Sequence, residues 1–281
     1  MLRLSLRAEL TAATTVAAKA GLGFVAPEVL HLGNHTTVRL VPWPIVARVA
    51  SGTSFDFSHE GLARELMVAR HLASREAPTV RATTKTAAGP YLEKDCAITL
   101  WDFAEGQAVA TQADEIMAAA SLQRVHSALA DIEAELPLFT TKVDSCKSIL
   151  ANPAEAPNLA RSDRLLLEKL YATLRERLNK GEAAWRPIHG DTHLGNVLVS
   201  GSGAIWMDLE AACIGPIEWD VINLPASTWP EFDGLDAALM ALLADVRSLC
   251  VAVWCWAEFD RSVASAEAAI YHLGHLKARF G

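Results

Sequence analysis

The chain lacks an excess of basic charge. Its 33 Asp and Glu outnumber 25 Lys and Arg, giving a formal net charge of −8 over 281 residues. That balance argues against a nucleic-acid partner, whose phosphates are gripped by clustered Lys and Arg, and is compatible with a neutral or cationic small substrate. Cysteine is sparse and scattered: Cys96, Cys146, Cys213, Cys250 and Cys255 form no C-x-x-C pair. An odd count in so long a chain reads as reduced thiols in a cytoplasmic protein. The most apolar late stretch, Leu249 to Phe259, is too short to span a bilayer, and Arg7 and Glu9 interrupt the start before the apolar core of a secretory signal develops. No membrane association is expected. Internal repeats and low-complexity tracts are absent too. The oligomeric state is not legible.

What is present is a globular composition, 51% apolar, with enough residues for one large or two modest domains. Leu2 to Ala20 predicts a helix stopped by Gly21. Val29 to Leu32 and Thr36 to Leu40 read as a strand pair around Gly33–Asn34–His35, and Ile45 to Ala50 as a third strand. Its alternation puts Ile45, Ala47 and Val49 on one face and Val46, Arg48 and Ala50 on the other. Arg48 is the one charge in that apolar run. Phe57 to Ala73 has helical periodicity through Leu62, Leu66, Ala69 and Leu72. Pro78 to Pro90 is turn-rich, and Cys96 to Leu100 is an apolar strand leaving through Trp101–Asp102–Phe103–Ala104–Glu105–Gly106. From Thr111 the chain turns helical, and His126 reads as a packed histidine. Pro137 to Pro157 reads as loop-rich. Further helices are expected from Ser162 to Gly181 under a Ser162/Asp163 cap, from Leu235 to Phe259 and from Ser262 to Ala278.

The densest polar pattern is His189–Gly190–Asp191–Thr192–His193–Leu194–Gly195–Asn196. Val197 to Val199 follows as a strand, Ser200–Gly201–Ser202–Gly203 as a turn, and Ala204 to Asp208 as the returning strand. A ladder folded about that turn sets Asn196 opposite Met207, so Asp208 ends beside Asn196. An amide oxygen and a carboxylate converging there are hard ligands suited to Mg²⁺. Asp191, in the loop before the first strand, is placed to orient a hydroxyl and take its proton. Two other readings of the pattern stand beside this one. The loop could be a purely structural Asx-type turn, or His189, Asp191 and His193 could alternate as ligands of a metal-dependent hydrolase, although the remaining histidines form no second cluster.

His189-x-Asp191-x-x-x-x-Asn196 with Asp208 twelve residues on resembles the catalytic loop and metal-binding segment of the aminoglycoside phosphotransferase and choline kinase family. That family is a branch of the protein-kinase-like fold. Gly215–Pro216–Ile217–Glu218–Trp219–Asp220 matches its usual continuation. The match is specific from Trp185 to Asp220, with weaker echoes back to His31. The resemblance implies an α+β, bilobal protein-kinase-like fold: a small strand-rich N-terminal nucleotide-binding lobe over 1–103 and a larger, mostly helical catalytic and acceptor-binding lobe over 104–281. It implies transfer of the γ-phosphate of ATP (or GTP), with Mg²⁺, to a hydroxyl of a small molecule such as an antibiotic, amino alcohol or sugar. Asp191 would act on the acceptor, Asn196 and Asp208 would hold Mg²⁺, and His189 and Asp220 would brace the loop. The hairpin at Gly33 and Asn34 would cover the phosphates, and Val46 would join the nucleotide site. Arg48 would stand where the family usually has a lysine, keeping the charge but with a planar fork. Glu65, or in competition Glu60, would pair with Arg48, and Asp102 and Ala104 would read the adenine edge. A catalytically silent nucleotide-binding regulatory protein remains a second class.

Overall fold

The protein is described from a computed structural model over residues 5–33, 35–51, 59–179, 185–260 and 262–281. It is a mixed α+β chain with a strand-rich N-terminal sheet and a helical C-terminal part, organised as two compact units. One comprises residues 1–136 with 191–212, the other residues 137–190 with 213–281.

The first unit begins with helix α1 (Leu6–Lys19), whose first turn is capped by the Ser5 side chain accepting from the Ala8 amide. A five-stranded sheet follows, built from β1 (Ala26–Leu32), β2 (Thr36–Val41), β3 (Ile45–Ser51), β4 (Tyr91–Glu93) and β5 (Cys96–Asp102). Their spatial order is β1-β2-β3-β5-β4, and every neighbouring pair is antiparallel. The predicted split of β3 is realised. Ile45, Ala47 and Val49 are fully buried in one core with Ala12, Ala13, Val16 and Ala17 of α1. Small alanines let the helix approach the sheet closely, and β-branched residues fill the pleat. Arg48 therefore projects from the opposite face. Helix α2 (His59–Ser74) starts near the expected Phe57, but residues 52–58 lie outside the described part. Helix α3 (Gln112–Leu129) opens on a Thr111/Asp114 capping box, and His126 is buried on it, as expected of a packed histidine.

The motif hairpin completes this unit. A short strand β6 (Gln107–Ala108) pairs with β8 (Val197–Ser200), which pairs with β9 (Gly203–Trp206). The register is Val199↔Ala204, as expected, though Ser200 and Gly203 also pair, so the reversal itself is only Gly201–Ser202. Trp206 anchors the hairpin, fully buried, with its indole N–H donating to Ser121 Oγ at 2.9 Å.

The second unit holds α4 (Phe139–Ala151), α5 (Arg161–Asn179), α6 (Ile217–Val221), α7 (Ala237–Ala257) and α8 (Val263–Phe280), with a two-strand ladder of β7 (Arg186–Ile188) and β10 (Cys213–Gly215). Helix α4 corrects the loop-rich reading of 137–157. Phe139, Val143, Cys146 and Leu150 recur at helical spacing and are all buried, a signal masked by the proline-rich flanks. The expected Ser162/Asp163 cap is also corrected: α5 already begins at Arg161, so both residues are inside its first turn, and Asp163 pairs with Lys277 at 2.7 Å. Asp236, which sequence reading passed over, caps α7 by accepting from Ala238 and Leu239 amides. Helix α7 is long and apolar enough to cross a membrane by length and composition, but its Leu243, Val246, Leu249, Cys250 and Val253 enter the core of this unit.

Phe139 stands at the centre of that core, edge-on to Trp185 at 5.0 Å and tilted against Trp219 at 5.4 Å between ring centroids. Phe139→Ala should cost about 3–5 kcal/mol, the range for truncating a buried aromatic. A denaturant midpoint shift at constant m-value measures it.

Candidate active site

Each unit fixes one half of the motif loop. In the second unit, the fully buried Asp220 of α6 accepts from two consecutive amides, that of His189 at Oδ2 (2.9 Å) and that of Gly190 at Oδ1 (2.8 Å). Trp219 donates its indole N–H to the Gly190 carbonyl at 3.0 Å. His189 is fully buried beside this bracket. Gly190 has φ 87°, a left-handed angle a side chain would strain. The brace that the resemblance assigned to Asp220 is thus made through backbone groups of the loop.

In the first unit, Asn196 donates its side-chain N–H to the Asp191 carbonyl at 2.9 Å, and the Met207 amide donates to the Asn196 carbonyl at 2.8 Å. Once Nδ2 is used in this way, the amide oxygen is the face left for a ligand. Asp191 is partly exposed and has His193 Nε2 at 3.8 Å from its Oδ2. Asp208 follows β9 in the left-handed region, φ 62° and ψ 63°. Such a conformation costs of order 1–3 kcal/mol in a non-glycine residue and tends to occur where geometry serves a site.

Asp208 is one of four side chains gathered on Arg48. The guanidinium reaches Glu65 Oε1 through Nη1 in a very short contact. Its Nη2 lies 2.5 Å from Asp208 Oδ1, 2.8 Å from Glu210 Oε2 and 2.5 Å from His35 Nε2. Glu65, not Glu60, therefore fills the partner role. Sequence reading missed Glu210 and His35. Glu210 stands two residues after Asp208, in the single 3-10 turn Leu209–Ala211 that packs against α2. His35 follows the β1–β2 turn and is 8% exposed. In each case the available signal was local: an acid two residues after the expected metal ligand Asp208, and a histidine two residues after Gly33 of the expected hairpin.

Burial and charge oppose one another in this cluster. Burial pulls the Arg48 pKa down, but the charges of Glu65, Asp208 and Glu210 outweigh it and hold the value above the ordinary one. Burial pushes Glu65 up to about 7, with Glu210 and Asp208 adding to the rise and Arg48 opposing it. His35, Asp208 and Glu210 each offer a ligand atom, and these atoms lie within 4.8 Å of one another. The two carboxylates are hard-oxygen donors fit for a divalent cation. The alternating His189, Asp191 and His193 are not part of that group.

Of the other expected nucleotide contacts, Val46 is buried on the Arg48 face of β3, paired with Arg39 and Trp101. Gly33 sits in the β1–β2 turn, its amide donating to the His35 carbonyl at 3.0 Å; a Cβ there would meet the His31 ring at 2.5 Å. Asn34 lies outside the described residues. Asp102 ends β5, and its amide is committed to the Arg81 carbonyl at 2.9 Å, so only its carbonyl could read a base. Asp102 and Ala104 line a cavity of about 510 Å³ together with Pro78, Arg81, Arg124 and Ile205. That cavity shares no lining residue with the Arg48 cluster.

A model described as the phosphotransferase enzyme family matches residues 53–258. The chain belongs to this family. Membership makes it a small-molecule phosphotransferase. A search of curated proteins finds no match. Solved structures share the protein-kinase-like fold at low identity. The amicoumacin kinase hAmiN, in complex with AMP-PNP, Ca²⁺ and Ami, is 13% identical with a TM-score of 0.72, over 99% of this chain and 97% of its own. The aminoglycoside phosphotransferase APH(2")-IIia, in complex with GDP and kanamycin, is 14% identical with a TM-score of 0.73, over 96% and 99%. The choline kinase LicA from Streptococcus pneumoniae is 12% identical with a TM-score of 0.68, over 95% and 99%.

The raised Glu65 value has a consequence for the stability of this phosphotransferase. An acid whose folded pKa exceeds its ordinary 4.5 holds its proton more tightly when folded, so its contribution to stability declines as pH rises from about 4.5 to about 7 and is level above. Thermal melts of the parent and Glu65→Gln across pH 4.5 to 8 test this. The parent should lose Tm relative to the variant within that window and show no further relative change above it.

Proposed function

We propose that this phosphotransferase moves the γ-phosphate of ATP or GTP to a hydroxyl of a small molecule, with Mg²⁺ as the ordinary metal. One observation carries the reading: the polypeptide segment from Asp191 to Glu210 carries a partly exposed carboxylate, a fixed amide and two acids that face the Arg48 guanidinium. In this proposal Asp191 orients the acceptor hydroxyl and receives its proton. Asn196 and Asp208, joined by Glu210, hold the divalent cation, which would neutralise charge on the nucleotide phosphates. Arg48 grips phosphate oxygens through its fork, and Glu65 keeps it pointed at them. His189 and Asp220 brace the loop. Asp102 and Ala104 offer backbone groups to the base, and residues 1–103 form the nucleotide-binding lobe, with 104–281 the acceptor-binding one. One of the similar structures is in complex with AMP-PNP, Ca²⁺ and Ami and another with GDP and kanamycin, which supports nucleotide, divalent metal and a small acceptor as the partner types.

The acceptor is sought with a panel of aminoglycosides, amino alcohols, sugars and macrolides, reading nucleoside diphosphate release with ATP or GTP. With an acceptor in hand, Asp191→Asn should fold and bind nucleotide as the parent does, yet lose about 10²-fold or more in turnover. Preserved turnover in a destabilised Asp191→Asn protein would instead mark the loop as structural. Asp208→Ala should abolish most transfer at any Mg²⁺ concentration, because its carboxylate cannot be replaced by Asn196 alone.

A further inference from the structure

The nitrogen Nη2 of Arg48 carries two hydrogens. Three atoms crowd it within 2.8 Å: Asp208 Oδ1, Glu210 Oε2 and His35 Nε2, which accepts in the tautomer that carries its proton on Nδ1. Two hydrogens cannot serve three partners well. The arrangement is that of a coordination sphere around a cation, with a guanidinium nitrogen at its centre. Charge says the same. Asp208 and Glu210 already outnumber the single positive Arg48, and Glu65 adds a third acid that contacts it, so the cluster has an excess of negative charge, the sign a divalent ion offsets. His35 comes from the β1–β2 turn, Asp208 and Glu210 from the segment after β9, so the three donors are set by separate elements and not by one acidic run. Glu65 Oε2 is an independent sign of an unfinished site: the residue is 1% exposed, and this oxygen has no hydrogen-bond partner among the described residues.

We propose that His35 Nε2, Asp208 Oδ1 and Glu210 Oε2 form one divalent-cation site that Arg48 fills while nucleotide is absent, and that its imidazole ligand makes it favour Mn²⁺ over Mg²⁺. Arg48 is then a built-in competitor. Its Nη1 stays on Glu65, while its Nη2 leaves the three ligands when a metal takes their lone pairs. The guanidinium swings to face the phosphates that arrive with the metal, so one residue couples nucleotide entry to metal entry. An imidazole nitrogen suits first-row transition ions, whereas Mg²⁺ and Ca²⁺ take oxygen. His35 thus sets which metal the site prefers, a property that Asp208 and Glu210 alone would not supply. The proposal deepens the phosphotransferase reading by naming a ligand and a competitor at the same metal site.

The test uses the full chain without nucleotide or acceptor, so it separates this proposal from the phosphotransfer reading: a protein that phosphorylates nothing in the panel can still pass, and an active one can still fail. Mn²⁺ binding is read by loss of the free-ion electron paramagnetic resonance signal, and Mg²⁺ by its competition with Mn²⁺. Arg48→Met should bind Mn²⁺ at least about tenfold more tightly than the parent, since a neutral side chain no longer occupies the ligands. Arg48→Lys, which keeps a charge beside Glu65 on a shorter point-charge head, should shift in the same direction and covers the case in which Arg48→Met fails to fold. Electron spin echo modulation of bound Mn²⁺ should show coupling to an imidazole nitrogen in either Arg48 variant. The further change His35→Ala should remove it and lower the Mn²⁺ to Mg²⁺ affinity ratio by about tenfold. Unchanged Mn²⁺ affinity in folded Arg48 variants overturns the competitor role. Nitrogen coupling that is missing, or that survives His35→Ala, overturns the ligand role.

Discussion

Charge at Arg48 is the constraint on which the rest of the first unit depends. A guanidinium cannot be neutralised by losing its proton, so wherever the fold buries it, acids must follow. They come from two places: Glu65 from α2, and Asp208 and Glu210 from the segment after β9. Meeting one guanidinium obliges β3, α2 and the motif hairpin to hold fixed positions. The apolar packing is arranged to allow it. The α1-backed core takes the Ile45, Ala47 and Val49 face of β3, while Arg48 lies on the other face, where Ala50 packs with Leu62 of α2 and Ala97. The 3-10 turn that carries Glu210 packs on α2, the helix that carries Glu65.

The second constraint is left-handed backbone held in place by side chains distant in sequence. Gly190 in its left-handed angle is pinned by Asp220 and Trp219 in the second unit. Asp208, also left-handed, is followed by a turn whose acid meets Arg48. In each case a conformation that a free chain would leave is kept by a partner far away in sequence. Asp220 is thirty residues from Gly190, and Arg48 is 160 from Asp208. Carboxylates taking two backbone amides satisfy donors that a tight loop cannot pair with its own chain.

Legibility followed the range of the cause. The β8–β9 register could be read because alternation and a Gly-Ser turn are local, and the observed pairing of Val199 with Ala204 follows directly. The split faces of β3 are local in the same way. Helix α4 was hidden although its period was present, because Pro137, Pro153 and Pro157 at its flanks outweighed Phe139, Val143, Cys146 and Leu150. The α5 start slipped to Arg161 because a Ser-Asp pair fits a cap and a first turn equally well. Nothing local distinguished Glu65 from Glu60; the register of α2 against β3 decided it. His35 and Glu210 carried almost no signal, since a lone histidine beside a turn and a second acid after Asp208 are ordinary sequence.

By itself the amino-acid order determined the family motif, the hairpin with Asn196 and Asp208 at one end, the face of β3 that bears Arg48, and the α+β class. These rest on spacing and periodicity, which act over a few residues. Only the tertiary structure decided which acids neutralise Arg48, that His35 shares its nitrogen's surroundings, that Asp220 serves the loop through two amides, and that the Asp102 amide is spent on Arg81. Those outcomes depend on how separate elements stack, and burial sets their energies. A charge in an apolar site takes whatever opposite charge the packing brings within reach, and no spacing along the chain encodes that distance.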